Sequence, residues 1–375
     1  MSDMKLANRL KSIRESLGLK ITEAAEKLGF SHYQTLSNIE DAKREVKASE
    51  LLIFSRVYYC SIEKLLGHEE VETNEIFVWR SAPEERKGEI EKEILYQCEQ
   101  YQLLENLLNI KSREGFIEVT LDNISTNYNV QNLASSISKL LELGRRPAFT
   151  LQKVLEQDYG IKILFYQFGD GSSLSTVSPR LGNIIVINNN EAPWRQNFDL
   201  AHELFHLLTW KVVVQTQSYE HDEYNEDIEK KADLFASVLL LPANELKKEV
   251  LERLNDKSEI SDSDLIDIAI EFGVSTQALI YRLSNLNFIT FETATKVVRR
   301  VELLETNKLR RAKEWQSRES EQFINIAIRC LRKGLISRSK FAELIGIQDR
   351  NDIDNFITKR GSIEKEGTNI EIMAS

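Results

Sequence analysis

The sequence predicts a mainly α-helical protein with a small β-sheet (α+β) in its central part. Three observations carry this. Gly (15) and Pro (5) are scarce for 375 residues, so the turn-formers that many-stranded folds need are few. Apolar residues recur at three- and four-residue spacing through most of the chain, the period of a helix face. Two short runs, Ile161-Lys-Ile-Leu-Phe-Tyr-Gln-Phe168 and Asn183-Ile-Ile-Val-Ile187, are β-prone instead. Composition bounds the rest. Hydrophobic residues at 42 % suffice for real cores, and charged residues at 29 % fall short of a disordered composition. At roughly 100–200 residues per domain, the length suits two or three domains. No apolar run approaches the ~20 residues of a membrane helix, and the first residues lack a signal-peptide stretch. Three scattered cysteines, Cys60, Cys98 and Cys330, are too few for a disulfide framework. The expectation is a soluble cytoplasmic protein with no membrane partner.

The elements follow in order. Leu6, Leu10, Ile13 and Leu17 share one helix face, which Gly18 ends. Ile21 to Leu28 forms a second helix, closed by Gly29. Ser31 is the expected N-cap of a third, running through Ile39 and Glu40. Ala48 to Val57 is a fourth, and Ile62, Leu65 and Leu66 close the packet. From 68 to 145 the chain is acidic and then helical, a spacer suited to self-association and hence to a homodimer. A unit over 146–290 holds a helix at Leu151–Leu155, the two β-prone runs and a turn-rich loop, Gly169–Ser173. Pro193 suits the first turn of a helix through His206 to Trp210. A polar loop from Gln215 to Asp227 follows, then a helix from Ile228 to Leu241, stopped by Pro242. Residues 291–375 are a helical extension with a polar tail.

Net charge is −10, but residues 1–67 hold 11 Lys/Arg against 9 Asp/Glu, so the remainder carries −12. Only the first segment has a charge balance that tolerates a phosphate backbone.

The sharpest chemical signal is His202-Glu203-Leu204-Phe205-His206. Helix positions four apart lie on one face, so both imidazoles reach one ion. Neutral imidazole suits Zn²⁺. Glu203 sits beside the open side, where a carboxylate takes the proton of an attacking water. A catalytic zinc site wants a third protein ligand and one open position. Thr209 and Val212 stand where a distant-His motif needs Gly and His, so that arrangement is excluded. A second helix opening Glu229-Lys-Lys-Ala-Asp233 offers the carboxylate. Glu229 is placed to ligate, and Asp233, four residues on, to accept the N–H of a ligand His and fix its tautomer. Glu223, Glu226 and Asp227 are rival ligands, but they precede the helix and lack an inward i+4 carboxylate. The loop residues His221, Tyr219 and Tyr224 are candidate donors to the developing oxyanion, His221 first among them.

Two stretches, Arg195-Gln-Asn-Phe-Asp-Leu-Ala-His-Glu-Leu-Phe-His-Leu-Leu208 and Glu229-Lys-Lys-Ala-Asp-Leu-Phe-Ala-Ser-Val-Leu-Leu-Leu-Pro242, match in order and spacing. Across about 145–290 the chain resembles the ImmA/IrrE family of metallopeptidases. The resemblance implies His202, His206 and Glu229 as zinc ligands and Glu203 as general base. It also implies a small sheet ahead of the metal helix that holds a peptide as an added strand. Members cleave transcriptional repressors or antitoxin-like partners, often after stress. The family usually has Gly at Phe205 and Thr or Ser at Asp199; the bulkier Phe205 is expected to narrow the groove. Substrate pairing is expected along Asn183–Ile187 and the loop Ser178–Gly182. Further on, Asp267 to Leu283 has a helix-turn-helix look in acidic surroundings, which favours a packing role.

Residues 6–67 resemble the Xre (phage-repressor-like) helix-turn-helix domain through Arg14, Gly18-Leu19, Ala25-Glu-Lys-Leu-Gly-Phe-Ser31 and Thr35-Leu-Ser-Asn-Ile-Glu40. The resemblance implies DNA binding through residues 1–67. His32, Tyr33, Gln34, Thr35, Ser37 and Asn38 would face base edges, and Lys43, Arg44 and Lys47 would meet phosphates. Lys20 and Ile21 replace the usual cap and phosphate-touching Gln. The functional expectation is a DNA-binding regulator fused to a zinc endopeptidase acting on a repressor or antitoxin. The alternative is a regulator or antitoxin whose metal domain senses a partner without proteolysis.

Overall fold

A computed structural model describes residues 4–67, 76–80, 86–110, 117–167, 169, 171–213, 222–254, 259–311, 318–347, 349 and 351–361, with side chains of 222–225 and 361 excepted. The described chain is mainly helical with one four-stranded sheet. Its contacts form two units: Met1–Cys98 with Arg113–Glu319, and Glu99–Ser112 with Ser320–Ser375.

In the first unit, α1 (Met4–Ser16), α2 (Ile21–Lys27), α3 (Tyr33–Glu40), α4 (Ala48–Val57) and α5 (Ile62–Leu66) enclose a core that includes Leu10, Leu36, Ile39, Phe54 and Tyr58. The N-cap of α3 is His32, one residue later than expected, and no side chain caps it. Across this core the Arg14 guanidinium meets the Glu40 carboxylate at 2.7 and 2.9 Å, both side chains buried. Then come β1 (Val78–Trp79) and α6 (Lys87–Leu107), whose residues are shared between the units.

Next are α7 (Asn127–Leu140), α8 (Leu151–Asp158), β2 (Lys162–Tyr166), β3 (Ser173–Ser178), β4 (Gly182–Asn188), α9 (Pro193–Val213) and α10 (Asp222–Leu240). The sheet order is β1-β3-β4-β2. β3 and β4 form an antiparallel hairpin, with Ser173 opposite Ile187 and Ser178 opposite Gly182. β2 lies parallel to β4 on its other side, with Lys162 opposite Ile184. β4 is therefore interior, flanked by a strand on each side from Ile184 to Ile187, and the expected docking of a substrate along Asn183–Ile187 is corrected: its neighbours already occupy both edges there. The open side of the hairpin is β3, and β1 pairs with it antiparallel, Val78 opposite Ser175 and Trp79 opposite Leu174. β3 itself escapes the sequence pattern because its buried residues include Ser173, Ser175 and Thr176, with no apolar alternation.

α9 is buried along most of its length and packs on α10 and the sheet. α7, which the sequence places in the spacer, sets Val130, Leu133, Ala134 and Ile137 into the same core. α10 begins at Asp222, inside the expected loop; acidic residues in a first helical turn complement the helix dipole. Beyond α11 (Ala243–Leu254), α12 (Asp262–Phe272) and α13 (Thr276–Asn285) bury Phe272, Val274, Leu279 and Ile280 in that core. The turn between them passes through Gly273 at φ +65°, where a Cβ would come 3.0 Å from the Ala148 Cβ. The Gly273 carbonyl accepts from Asn197 Nδ2 of α9 at 2.8 Å. α14 (Phe291–Val298) and α15 (Val301–Arg311) complete this unit. In the second unit, α16 (Glu321–Arg332), α17 (Arg338–Ile345) and α18 (Asp352–Gly361) are present, with Phe341 edge-on to Phe356. No described helix is long and apolar enough to cross a membrane.

Candidate metal centre and helix-turn-helix face

α9 and α10 bring three donors to one point. His202 Nε2 and His206 Nε2 lie 3.1 Å apart. Glu229 places Oε2 3.1 Å from His202 Nε2 and Oε1 3.3 Å from His206 Nε2. Two ligands held tetrahedrally at ~2.0–2.1 Å from one ion sit about 3.3 Å apart, so the spacing is that of a shared cation. His202 Nδ1 faces Asp233 Oδ1 at 2.9 Å, which turns the Nε2 lone pair toward the cluster. Two imidazole nitrogens and a carboxylate converging on one point are a donor set that fits a cation once His202 is neutral. Among the described residues these three form the group able to hold a metal ion. Glu226 and Asp227 pair instead with Lys230 and Lys231 at the surface, and the side chain of Glu223 is not described.

Electrostatics agree with the geometry. Burial lowers the His202 pKa, but Asp233 and Glu229 outweigh it and raise it to about 9. Burial raises Glu229, yet His202 and His206 hold its carboxyl well below the usual range. Glu203 is fully buried, and its Oε1 accepts from Ser173 Oγ at 2.6 Å, while Oε2 has no hydrogen-bond partner among the described residues. A carboxylate held by one oxygen and open at the other is arranged to take a proton.

Two departures from the family pattern have defined places. Phe205 is wholly buried and packs against Phe235 at 5.5 Å between ring centroids, so its bulk goes into the core and does not narrow a groove. Asp199, also wholly buried, pairs with Arg80, whose other nitrogen lies 3.1 Å from Asp233 Oδ1. Sequence reasoning missed Arg80 and Ser173. The available signal for Arg80 was the short apolar run Ile76-Phe-Val-Trp79 before it. His221 and Tyr219 lie outside the described residues, and the side chain of Tyr224 is not described.

On α3, His32, Tyr33, Gln34 and Asn38 are exposed and Thr35 and Ser37 are half-buried, while Leu36 and Ile39 hold the helix to its core. Lys43 pairs with Asp41 at 2.8 Å, and Arg44 grips Glu50 with two nitrogens at 2.6 and 3.1 Å.

Comparison with known proteins follows the same division. Residues 156–284 match the family model of the IrrE N-terminal-like domain, a peptidase family, and residues 10–65 match that of the helix-turn-helix. The first matched span runs from the end of α8 into α13 and contains all three converging donors. A Mycobacterium tuberculosis transcriptional regulator of known structure is 15 % identical over 49 % of this chain and 51 % of its own length, with a TM-score of 0.33. The match thus spans about half of that regulator. No curated protein matches this chain.

Proposed function

We propose that this protein is a cytoplasmic DNA-binding regulator fused to a zinc-dependent endopeptidase, and that it cuts a protein partner at one site. The partner is a repressor or antitoxin. The observation that carries the reading is the convergence of His202, His206 and Glu229, with the buried Glu203 carboxylate next in sequence to His202 and held at one oxygen. A Zn²⁺ ion there would polarise the scissile carbonyl and acidify the attacking water. Asp233 keeps the Nδ1 proton on His202 and so leaves Nε2 as a donor to the ion. Glu203 takes the water's proton on Oε2 and delivers it to the leaving amine. Ser173 fixes the carboxylate's orientation through both transfers.

The acidic remainder of the chain favours a basic partner, such as another DNA-binding protein. The helix-turn-helix would bind DNA through the exposed first turn of α3, as a dimer on a pseudo-palindrome, and hold the peptidase near DNA-bound partners. Partner cleavage by wild type and by Glu203→Gln, each with and without chelator, tests the reaction. Wild type alone, without chelator, is expected to cut, once, and to leave casein intact. Cutting at an unchanged rate by Glu203→Gln would overturn it. The second reading, a sensor that binds a partner without proteolysis, is favoured by one observation: β1 closes the outer edge of β3. A sensor keeps its regulatory output in the Glu203→Gln chain, whereas a protease loses it.

A further inference from the structure

β3 is the strand that serves the metal centre, because its first residue, Ser173, holds Glu203. The outer edge of such a strand is where an extended peptide adds by main-chain pairing. In this chain the edge is filled from within. Val78 and Trp79 pair with Ser175 and Leu174, and the Arg80 N–H donates to the Ser173 carbonyl at 3.1 Å. The segment therefore runs antiparallel along β3 toward the metal centre and ends on a basic side chain.

That side chain enters a built notch. Its guanidinium pairs with buried Asp199, lies 3.1 Å from Asp233 and sits over the Phe198 ring at 5.5 Å. Asp199 Oδ2 has no hydrogen-bond partner among the described residues, and burial pushes the carboxyl up to about 6 against the pull of Arg80 and Arg195. A wholly buried carboxylate needs a cation to stay ionised. Beyond the notch a cleft of about 630 Å³, lined by Trp194, Phe198, Leu234 and Tyr281 among others, leaves room for residues flanking the basic one. Residues 76–80 lie far outside the matched span 156–284, so the occupant comes from the chain's N-terminal part. It is tied there: Trp79 Nε1 donates to Glu91 of α6 at 2.8 Å, and Glu89 of α6 holds Lys27 of α2 at 2.6 Å.

We propose that the β3 edge and the Asp199–Asp233–Phe198 notch form a peptide-binding site selective for an extended segment with an Arg or Lys side chain, and that residues 76–80 are its self-supplied occupant. A partner's segment must displace them to reach the metal centre. A two-residue ladder exchanges few hydrogen bonds, so a longer incoming strand competes with it. The inference rests on the endopeptidase reading for its purpose, but not for its test.

The test uses the full chain with Glu203→Gln, so that nothing is cut, and a labelled peptide Ile-Phe-Val-Trp-Arg with blocked ends. Fluorescence anisotropy should show at least about tenfold tighter binding when Arg80→Ala or Val78→Pro empties the edge, equivalent to about 1.4 kcal/mol. The gain should vanish with a peptide ending in Glu, and on adding Asp199→Asn. In the otherwise unaltered chain, excess peptide should speed amide exchange at residues 78–80 and leave β4 unchanged. Equal affinity in all three proteins together with unaltered exchange, or a gain that survives the Glu peptide, overturns the proposal. A chain that binds the peptide as expected but cuts no partner overturns the endopeptidase reading alone. One that cuts its partner, with peptide affinity indifferent to Arg80→Ala and Val78→Pro, overturns this inference alone.

Discussion

His202 is pulled two ways, and the balance makes a measurable prediction. Burial disfavours its charged form, while Asp233 and Glu229 favour it and raise its pKa from 6.5 to about 9. A raised folded pKa means that the protonated ring stabilises the metal-free fold. That contribution is complete below about 6.5 and is lost as pH rises through about 9. Urea denaturation of the metal-free protein between pH 6 and 10 should show the loss, and His202→Ala should flatten it; parallel curves would rule the assignment out. A cation needs the neutral ring, so zinc uptake should strengthen over the same interval as stability falls. At fixed pH, about one Zn²⁺ per chain is expected in wild type and in Glu203→Gln, and most of it should be missing from His202→Ala and Glu229→Ala. Elemental analysis decides this, and equal metal in wild type and His202→Ala would reject the ligand set. These residues were legible in the sequence because i and i+4 on one helix meet whatever surrounds them.

At the scale of elements, the joint between α1 and α3 and the joint between β3 and α9 carry separate predictions. Arg14→Ala would leave Glu40 buried without its cation and should destabilise the helix-turn-helix by about 3–5 kcal/mol. Lys43→Ala, whose partner is exposed, should change little. Chemical denaturation of the two variants separates them. Under the proposed reaction, Ser173→Ala should slow cleavage on the order of 10–100-fold with metal content unchanged, since it orients Glu203 and does not touch His202, His206 or Glu229. Loss of metal in that variant would show the centre to be built differently. β3 was not legible: a strand buried on both faces and rich in Ser and Thr has neither the alternation nor the apolar run that marks a strand. The start of α10 was misplaced for a different reason. Asp222 and Glu223 look like loop composition, although the same residues suit a helix N-terminus.

Over the whole molecule, the charge asymmetry survives in the structure, but its cations are partly spoken for. Arg44 is clamped by Glu50, which also caps α4 by accepting from the Lys47 N–H at 2.9 Å. Glu50→Gln should therefore release Arg44 and tighten DNA binding several-fold at low salt. Binding should steepen in its salt dependence by about one phosphate contact. Titration of wild type and Glu50→Gln at several salt concentrations measures both; an unchanged slope would remove Arg44 from the phosphate face.

What the sequence determined by itself is what short-range periodicity can carry: the helix packet of residues 6–67, the pair His202 and His206 on one helix face, and the second pair Glu229 and Asp233. The two pairs are each set by backbone geometry within two turns of one helix, and the packet by the apolar spacing along its helices. Tertiary structure decided which pairs face one another and which strand edge is open. Arg80 meets Asp199 across 119 residues of chain, and no local pattern announces that meeting. Strand partners are chosen by non-local ladder closure and burial, and a two-residue strand has too little sequence to show its register. The β3 edge, which the sequence reading did not identify and which residues 78–80 fill in the fold, is settled at that level.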